Sequence, residues 1–259
     1  MEPTPYEGVN SLAAALLGRL TGVLGSNLGG LYLFGSAAAG AFEDGVSDVD
    51  LLAVTLEGLT DAQFANLHAM HHALAGEYSA WDGRIELLYV SAAGLKAFRT
   101  QAPAIAAISP GEPFHWREAE FGRLMNWYDV QEHGLALFGP PASTFIETIS
   151  EAEFVASVRG DLANWPAWFE ELPRRTGTQS YVVLTMCRAI HACRTGQQAS
   201  KTQAGVWATR ELPEWADLIR TALEWRRTGS GRVQSDAGER TLARIRAFVG
   251  YAKQATESQ

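Results

Sequence analysis

Asp48 and Asp50 stand two residues apart where an apolar run, residues 51–54, begins. In a strand, side chains at i and i+2 share a face, so both carboxylates would point the same way. Such a pair repels itself unless a cation lies between them. Divalent cations gripping phosphate oxygens are the usual answer. Upstream, Gly35 and Ser36 close another apolar run, residues 31–34. A turn there offers backbone N–H groups and a hydroxyl to phosphate. One strand pair would then supply both halves of a metal–phosphate site. An Asx turn ahead of a strand is the other reading of Ser47-Asp48-Val49-Asp50.

A third carboxylate, Glu86, lies inside the apolar segment RIELLYV, residues 84–90. Ionised glutamate suits the middle of a strand only when paired or facing a polar cleft, although sheet edges tolerate it. Beside the aspartate pair it completes a division of labour. Attack by a hydroxyl on the α-phosphorus of a nucleotide needs a base near that hydroxyl. It also needs positive charge against the transferring phosphate and the pyrophosphate leaving group. The second half of the chain adds cations. Lys201 falls at the first position of a helix, where it opposes the macrodipole and an anion would relieve the conflict. Arg188 interrupts the largely apolar helix YVVLTMCRAIHACRTG and would project into a cleft between the halves. The plain alternative is a solvated Lys201 and an Arg188 paired with a surface acid.

The elements around these residues alternate. Leu and Val recur at helical spacing over residues 9–28, ending in Gly-rich NLGG. Strands at 31–34, 48–54 and 84–90 bracket a helix over 60–78 with Thr60 or Asp61 as its N-cap. Prolines at 103, 110 and 113 mark a less regular stretch. A helix over 118–135 and a turn at 138–143 close the first half. Beyond residue 150 the pattern is helical: 151–170, 179–195, 201–211, 214–228 and 236–254. Gly196 is placed to stop the second of these, and Ser200-Lys201-Thr202-Gln203 reads as a capping box for the third. The tail from residue 253 reads as frayed. This predicts an α/β domain over residues 1–150, a small mixed sheet with helices, and an all-α bundle over 151–259.

Composition sets further bounds. With 259 residues the chain holds one large or two modest domains. A formal net charge of −8 argues against a nucleic-acid partner and suits a cationic small molecule. No run of 18 uninterrupted apolar residues and no signal peptide is evident, so a cytoplasmic, membrane-free, monomeric protein is expected. Cys187 and Cys193 lie on different helical faces and predict no local disulfide. His68, His71 and His72 share a helical face but lack a completing ligand, so a solvated face is expected.

The Gly-Ser, gap, Asp-x-Asp pattern resembles the nucleotidyltransferases related to DNA polymerase beta. That resemblance implies Ser36 on nucleotide phosphate and magnesium on Asp48 and Asp50. The stretch YVVLTMCRAIHACRTGQQASKTQAGVWATRELPEW is similar to the helical domain of the aminoglycoside adenylyltransferases that modify streptomycin and spectinomycin. It implies Arg188 and Lys201 as ATP contacts, Glu86 as general base and a further ligand at the metal, and Ser47 near the phosphates. The activity it implies is ATP- and Mg²⁺-dependent transfer of AMP to a hydroxyl of an aminoglycoside or aminocyclitol. A nucleotide-binding or antitoxin-like regulator on the same fold, or an adenylyltransferase with another acceptor, are the rival functions.

Acceptor recognition departs from that family. The stretch before the Arg188 helix, WFEELPRRTGTQSY, is basic at Arg174 and Arg175, with Thr178 and Gln179 near where an acid is expected. Candidate acceptor residues are Trp165, Trp168, Glu170 and Glu171. Trp116 is either a stacking surface for the acceptor or core.

Overall fold

The computed structural model describes residues 2–117, 124–228 and 237–257. The chain divides into two compact units, Met1–Ile149 and Ser150–Gln259.

The first unit is built on a six-stranded mixed sheet in the order β5-β4-β3-β2-β1-β6. The strands are β1 (Leu28–Phe34), β2 (Val49–Thr55), β3 (Ile85–Ser91), β4 (Ile105–Ser109), β5 (Glu112–Arg117) and β6 (Leu135–Phe138). β2 and β3 run parallel, and the other pairs are antiparallel. Helices α1 (Glu7–Leu24), α2 (Gly35–Ala38), α3 (Asp61–Glu77), α4 (Ala92–Ala97) and α5 (Leu124–His133) complete the unit.

Strand alternation creates two cores. Leu31, Leu33, Leu51, Leu87 and Tyr89 pack with Leu12, Leu16 and Leu20 of α1 and Leu67 and Leu74 of α3. Each fully buried leucine contributes about 2 kcal/mol of transfer free energy. On the other face Leu52, Val54, Leu88 and Val90 are buried, with α4 against β3 and α5 against β1. Residues Glu7–Asn27 meet the length and composition of a membrane span, with mean hydropathy 1.2. The leucine stripe of α1 lies in the core of the unit.

Several local expectations change. Leu28, Gly29 and Gly30 open β1 instead of ending α1. Thr60, not Asp61, caps α3 in a full capping box with Gln63. The histidine face is not uniformly solvated. His68 and His72 are exposed, whereas His71 is buried and its Nε2 lies 2.8 Å from the Tyr89 hydroxyl. The stretch read as irregular contains α4 and the β4–β5 hairpin. Pro110 and Gly111 form its two-residue connection, with Gly111 at φ +80°. Proline at i+1 and a glycine with positive φ at i+2 are turn chemistry. Pro113 is tolerated because β5 is an edge strand. The helix expected over 118–135 is described only from Leu124, and 118–123 lie outside the described residues.

The second unit is helical throughout its described residues: α6 (Glu151–Leu162), α7 (Trp165–Glu171), α8 (Thr176–Thr195), α9 (Lys201–Glu211), α10 (Ala216–Thr228) and α11 (Glu239–Glu257). α8 is the hub, packing against α6, α9, α10 and α11. It buries Val182, Val183, Leu184, Met186, Cys187 and Ile190. Ser180 Oγ donates to the Ala222 carbonyl at 2.7 Å, tying α8 to α10. Gly196 ends α8 in the left-handed region at φ 72°, and Ser200 and Gln203 form the capping box of α9. The single helix expected over 151–170 is two. Pro166 falls in the first turn of α7, where its missing N–H is no loss. The tail is helical to Glu257, and residues 258–259 lie outside the described residues. Cys187 is buried, Cys193 is half-buried, and both are free thiols.

Candidate functional site

β1 ends where β2 and β3 begin, and three expected residues gather at that end of the sheet. Phe34 pairs with Asp50, and Asp50 pairs with Glu86. Neighbouring strands lie roughly 4.8 Å apart, so Asp50 and Glu86 stand side by side on one face. They occupy the face opposite Val49 and Ile85, which point into the α1–α3 core. Asp48 comes just before β2 and is half-buried, as are Asp50 and Glu86.

Gly35 follows β1 with φ +67° and starts the short turn α2. A Cβ on Gly35 would overlap the Asp50 carboxylate. The glycine therefore makes both the turn and the space in which that carboxylate sits. Ser36, the second residue of α2, is half-buried, and its carbonyl accepts from Ala41 N–H at 2.8 Å. Ser47 directly precedes Asp48. Only 4% exposed, its hydroxyl turns inward and accepts the Glu43 N–H at 3.0 Å. It holds the 43–47 turn just ahead of Asp48.

Among the described residues, no group of three or more His, Cys, Asp or Glu is gathered to hold a metal ion. The three-carboxylate metal set expected from sequence is thus not assembled as one cluster. Mg²⁺ needs only one or two carboxylates, because water and phosphate oxygens fill the rest of its octahedron. Two hard-oxygen donors, Asp50 at the start of β2 and Asp48 just ahead of it, fit that ion, with Gly35 leaving room for the Asp50 carboxylate.

In the helical unit, Tyr181 and Arg188 lie seven residues apart on α8, two turns along one stripe. Lys201, the first residue of α9, places Nζ 4.8 Å from the Tyr181 ring centroid. The exposed Tyr181 was missed in the sequence reading, although its spacing from Arg188 was the available signal. Trp165 is only 6% exposed, donates from Nε1 to Asp161 Oδ2 at 3.0 Å, and packs on Trp168 and Tyr181. It is a core residue of this unit rather than an open stacking surface. Trp168, 44% exposed, is the accessible indole of the pair. Glu170 is engaged: Arg246 grips both of its oxygens, at 2.5 and 2.9 Å, and holds its carboxyl below the usual range. Glu171 is exposed. Arg174, one of the two basic residues of this stretch, is paired with Glu239.

Trp116 is on β5 and stacks on Phe64 of α3, with centroids 5.1 Å apart at 9°. Its register through Ala106 to Tyr89 puts it on the face opposite Asp50 and Glu86. The sheet does not bring it together with the carboxylates. It is neither core nor beside Glu86, but an exposed ring on the α3 side.

Comparison with known proteins adds to this geometry. Residues 144–255 match the family model of the aminoglycoside adenylyltransferase C-terminal domain. A spectinomycin 9-adenylyltransferase of Staphylococcus aureus is 26% identical over 248 residues, covering 91% of this chain and 90% of that protein. An aminoglycoside (3'') (9) adenylyltransferase of Escherichia coli is 29% identical over 127 residues, 48% of this chain and 44% of that one. Among solved structures, a spectinomycin adenyltransferase from Enterococcus faecialis, crystallised with ATP and spectinomycin, superimposes with a TM-score of 0.73. That match covers 95% of this chain and 98% of the other at 19% identity, and shows a shared fold: an N-terminal mixed sheet with helices, then a helical region. Over most of its length the chain is thus similar to a spectinomycin 9-adenylyltransferase, and its residues 144–255 match the C-terminal domain model of the aminoglycoside adenylyltransferases.

Proposed function

We propose that this protein is an adenylyltransferase that moves AMP from ATP to a hydroxyl of an aminoglycoside or aminocyclitol. The observation that carries the reading is the in-register placement of Asp50 and Glu86 on adjacent parallel strands, with Asp48 just ahead and Gly35 opening space beside them. In the step, the acceptor oxygen forms a bond to the α-phosphorus and the bond to the β-phosphate bridging oxygen breaks. Pyrophosphate leaves, and the acceptor proton passes to the Glu86 carboxylate. Mg²⁺ held by Asp48 and Asp50 with the triphosphate would neutralise the transferring and leaving phosphates. Gly35 and Ser36 orient phosphate, and Arg188 and Lys201 supply positive charge to it. Residues 1–150 are the catalytic domain in this reading, and 151–259 complete nucleotide and acceptor binding. In this reading the reaction runs in the cytoplasm, where ATP is plentiful.

Spectinomycin is the leading acceptor, because the relative aligned over 91% of this chain is a spectinomycin 9-adenylyltransferase. Trp168 offers it a flat apolar surface. Glu171 is the exposed acid beside it, whereas Glu170 is held by Arg246. A pyrophosphate-release screen tests the reading, with Mg²⁺ and each nucleoside triphosphate against a panel of aminoglycosides and aminocyclitols. ATP-dependent release with spectinomycin or streptomycin is the expected result. Binding of ATP without release on any panel member would overturn the antibiotic acceptor.

A further inference from the structure

Arg84 precedes Glu86 by two residues, at the entry to β3. Its guanidinium donates twice to one acceptor, the Ser47 carbonyl, from Nε at 3.2 Å and Nη2 at 2.7 Å. Nη1 reaches the Ala80 carbonyl at 3.4 Å, and the Trp81 ring centroid lies 4.7 Å from Cζ. Arg84 also acts through its main chain: its carbonyl accepts the Val49 N–H at 2.9 Å.

Asp48 is the residue between those two anchors. The Ser47 carbonyl belongs to the peptide plane before Asp48, and the Val49 N–H to the plane after it. Peptide groups are rigid, so φ and ψ of a residue are the rotations between its two flanking planes. Fastening both planes to Arg84 fixes the backbone of Asp48 and so the direction of its Cα–Cβ bond. The same residue leads directly into β3, where Glu86 pairs with Asp50. From Val49 onward β2 is held on both sides by β1 and β3, so the strand does not depend on Arg84. Asp48 stands outside that ladder.

We propose that Arg84 is a positioning residue that sets Asp48 for divalent-cation binding. The inference rests on reading Asp48 as a metal ligand. Lysine would keep the charge but not the planar two-pronged fork.

The test uses the full chain as wild type, Arg84→Met and Arg84→Lys. Mn²⁺ binding in the presence of ATP is read by electron paramagnetic resonance, with no turnover involved. Hydrogen exchange across residues 43–50 reads the strap. Both variants should keep the wild-type thermal midpoint to within a few degrees. Mn²⁺ affinity should fall about 10- to 100-fold in Arg84→Met, the range for outer-shell partners of a metal site, with faster exchange over 43–50. Most of that loss should persist in Arg84→Lys. Wild-type Mn²⁺ affinity in folded Arg84→Met would overturn the proposal. So would full rescue by lysine, since charge alone would then suffice. If Arg84→Met does not fold, Arg84→Lys alone decides: weakened Mn²⁺ binding supports the proposal and wild-type binding overturns it. Failure of the wild-type protein to bind Mn²⁺ would instead remove the metal reading of Asp48, and this proposal with it.

Discussion

A methyl group on Gly35 would overlap Oδ2 of Asp50 and stand 2.8 Å from its Cγ. The glycine also holds φ +67°, a conformation that costs other residues about 1–2 kcal/mol. Gly35→Ala therefore carries two penalties, and they separate experimentally. Gly111 has φ +80° with nothing within 4 Å of a built Cβ. Gly111→Ala should lose about 1–2 kcal/mol in urea unfolding and keep its transfer rate. Gly35→Ala should lose at least as much stability and most of its activity, because the carboxylate must move. Equal activity in the two variants would show that the space beside Asp50 is not used.

Asp50 and Glu86 are neighbours in register with different expected roles. Asp50→Asn should lower Mg²⁺-dependent turnover at least roughly a hundredfold, the scale of removing a main electrostatic stabiliser. Glu86→Gln should keep Mg·ATP binding, because the amide preserves shape, while kcat falls by roughly 10²–10⁴. Calorimetry with a non-hydrolysable ATP analogue distinguishes them. Loss of nucleotide binding in Glu86→Gln would assign Glu86 to the metal.

The carboxylates were legible because strand alternation and spacing are local properties. Asp48, Asp50 and Glu86 follow from period-2 geometry once the strands are recognised, and the α/β-then-helical order follows from periodicity. What was missed depends on contacts that strand and helix periodicity do not show. Pro110 read as irregularity because only its pairing shows that it makes a hairpin turn. Glu170 looked available until Arg246, distant in sequence, was seen to hold it. Ser47 adjoins Asp48 in sequence, and its hydroxyl also accepts the Glu43 N–H, a contact periodicity does not show. Arg84 had no motif at all, and its role is visible only from two hydrogen bonds to one carbonyl.

His71 gives the fold a defined acid sensitivity. Burial, and secondarily the charge of His68, lowers its pKa from 6.5 to about 4. The native state holds this imidazole neutral, while the unfolded chain protonates it below about pH 6.5. The unfolded state thus binds more protons between those values, so stability is full above pH 6.5 and falls as pH drops towards 4. The total is about 3 kcal/mol by linkage. His133 acts in the opposite direction. Its hydrogen bond from Nδ1 to Asp129 raises its pKa, so its contribution is present below pH 6.5 and lost as pH rises through the raised value. Urea midpoints from pH 7.5 to 4.5 should fall less steeply in His71→Gln than in wild type. Parallel slopes would mean that His71 is already protonated in the folded protein.

Lys201 and Arg188 test the contribution of the helical unit. Lys201 lies over the Tyr181 ring, a contact that desolvates the ammonium and fixes its long side chain. Arg188 is on the same α8 stripe as Tyr181. Both are assigned to the triphosphate, so each alanine variant should raise the KM for ATP more than the KM for the acceptor. About ten- to a hundredfold per cation is the expected size, from one charge-assisted contact of about 1.5–3 kcal/mol. Tyr181→Leu should produce a smaller rise of the same kind, because it removes the surface that holds Lys201 without removing the charge. Steady-state kinetics with each substrate varied in turn gives the answer. If Lys201→Ala raised only the KM for the acceptor, Lys201 would be reassigned from the nucleotide to acceptor binding.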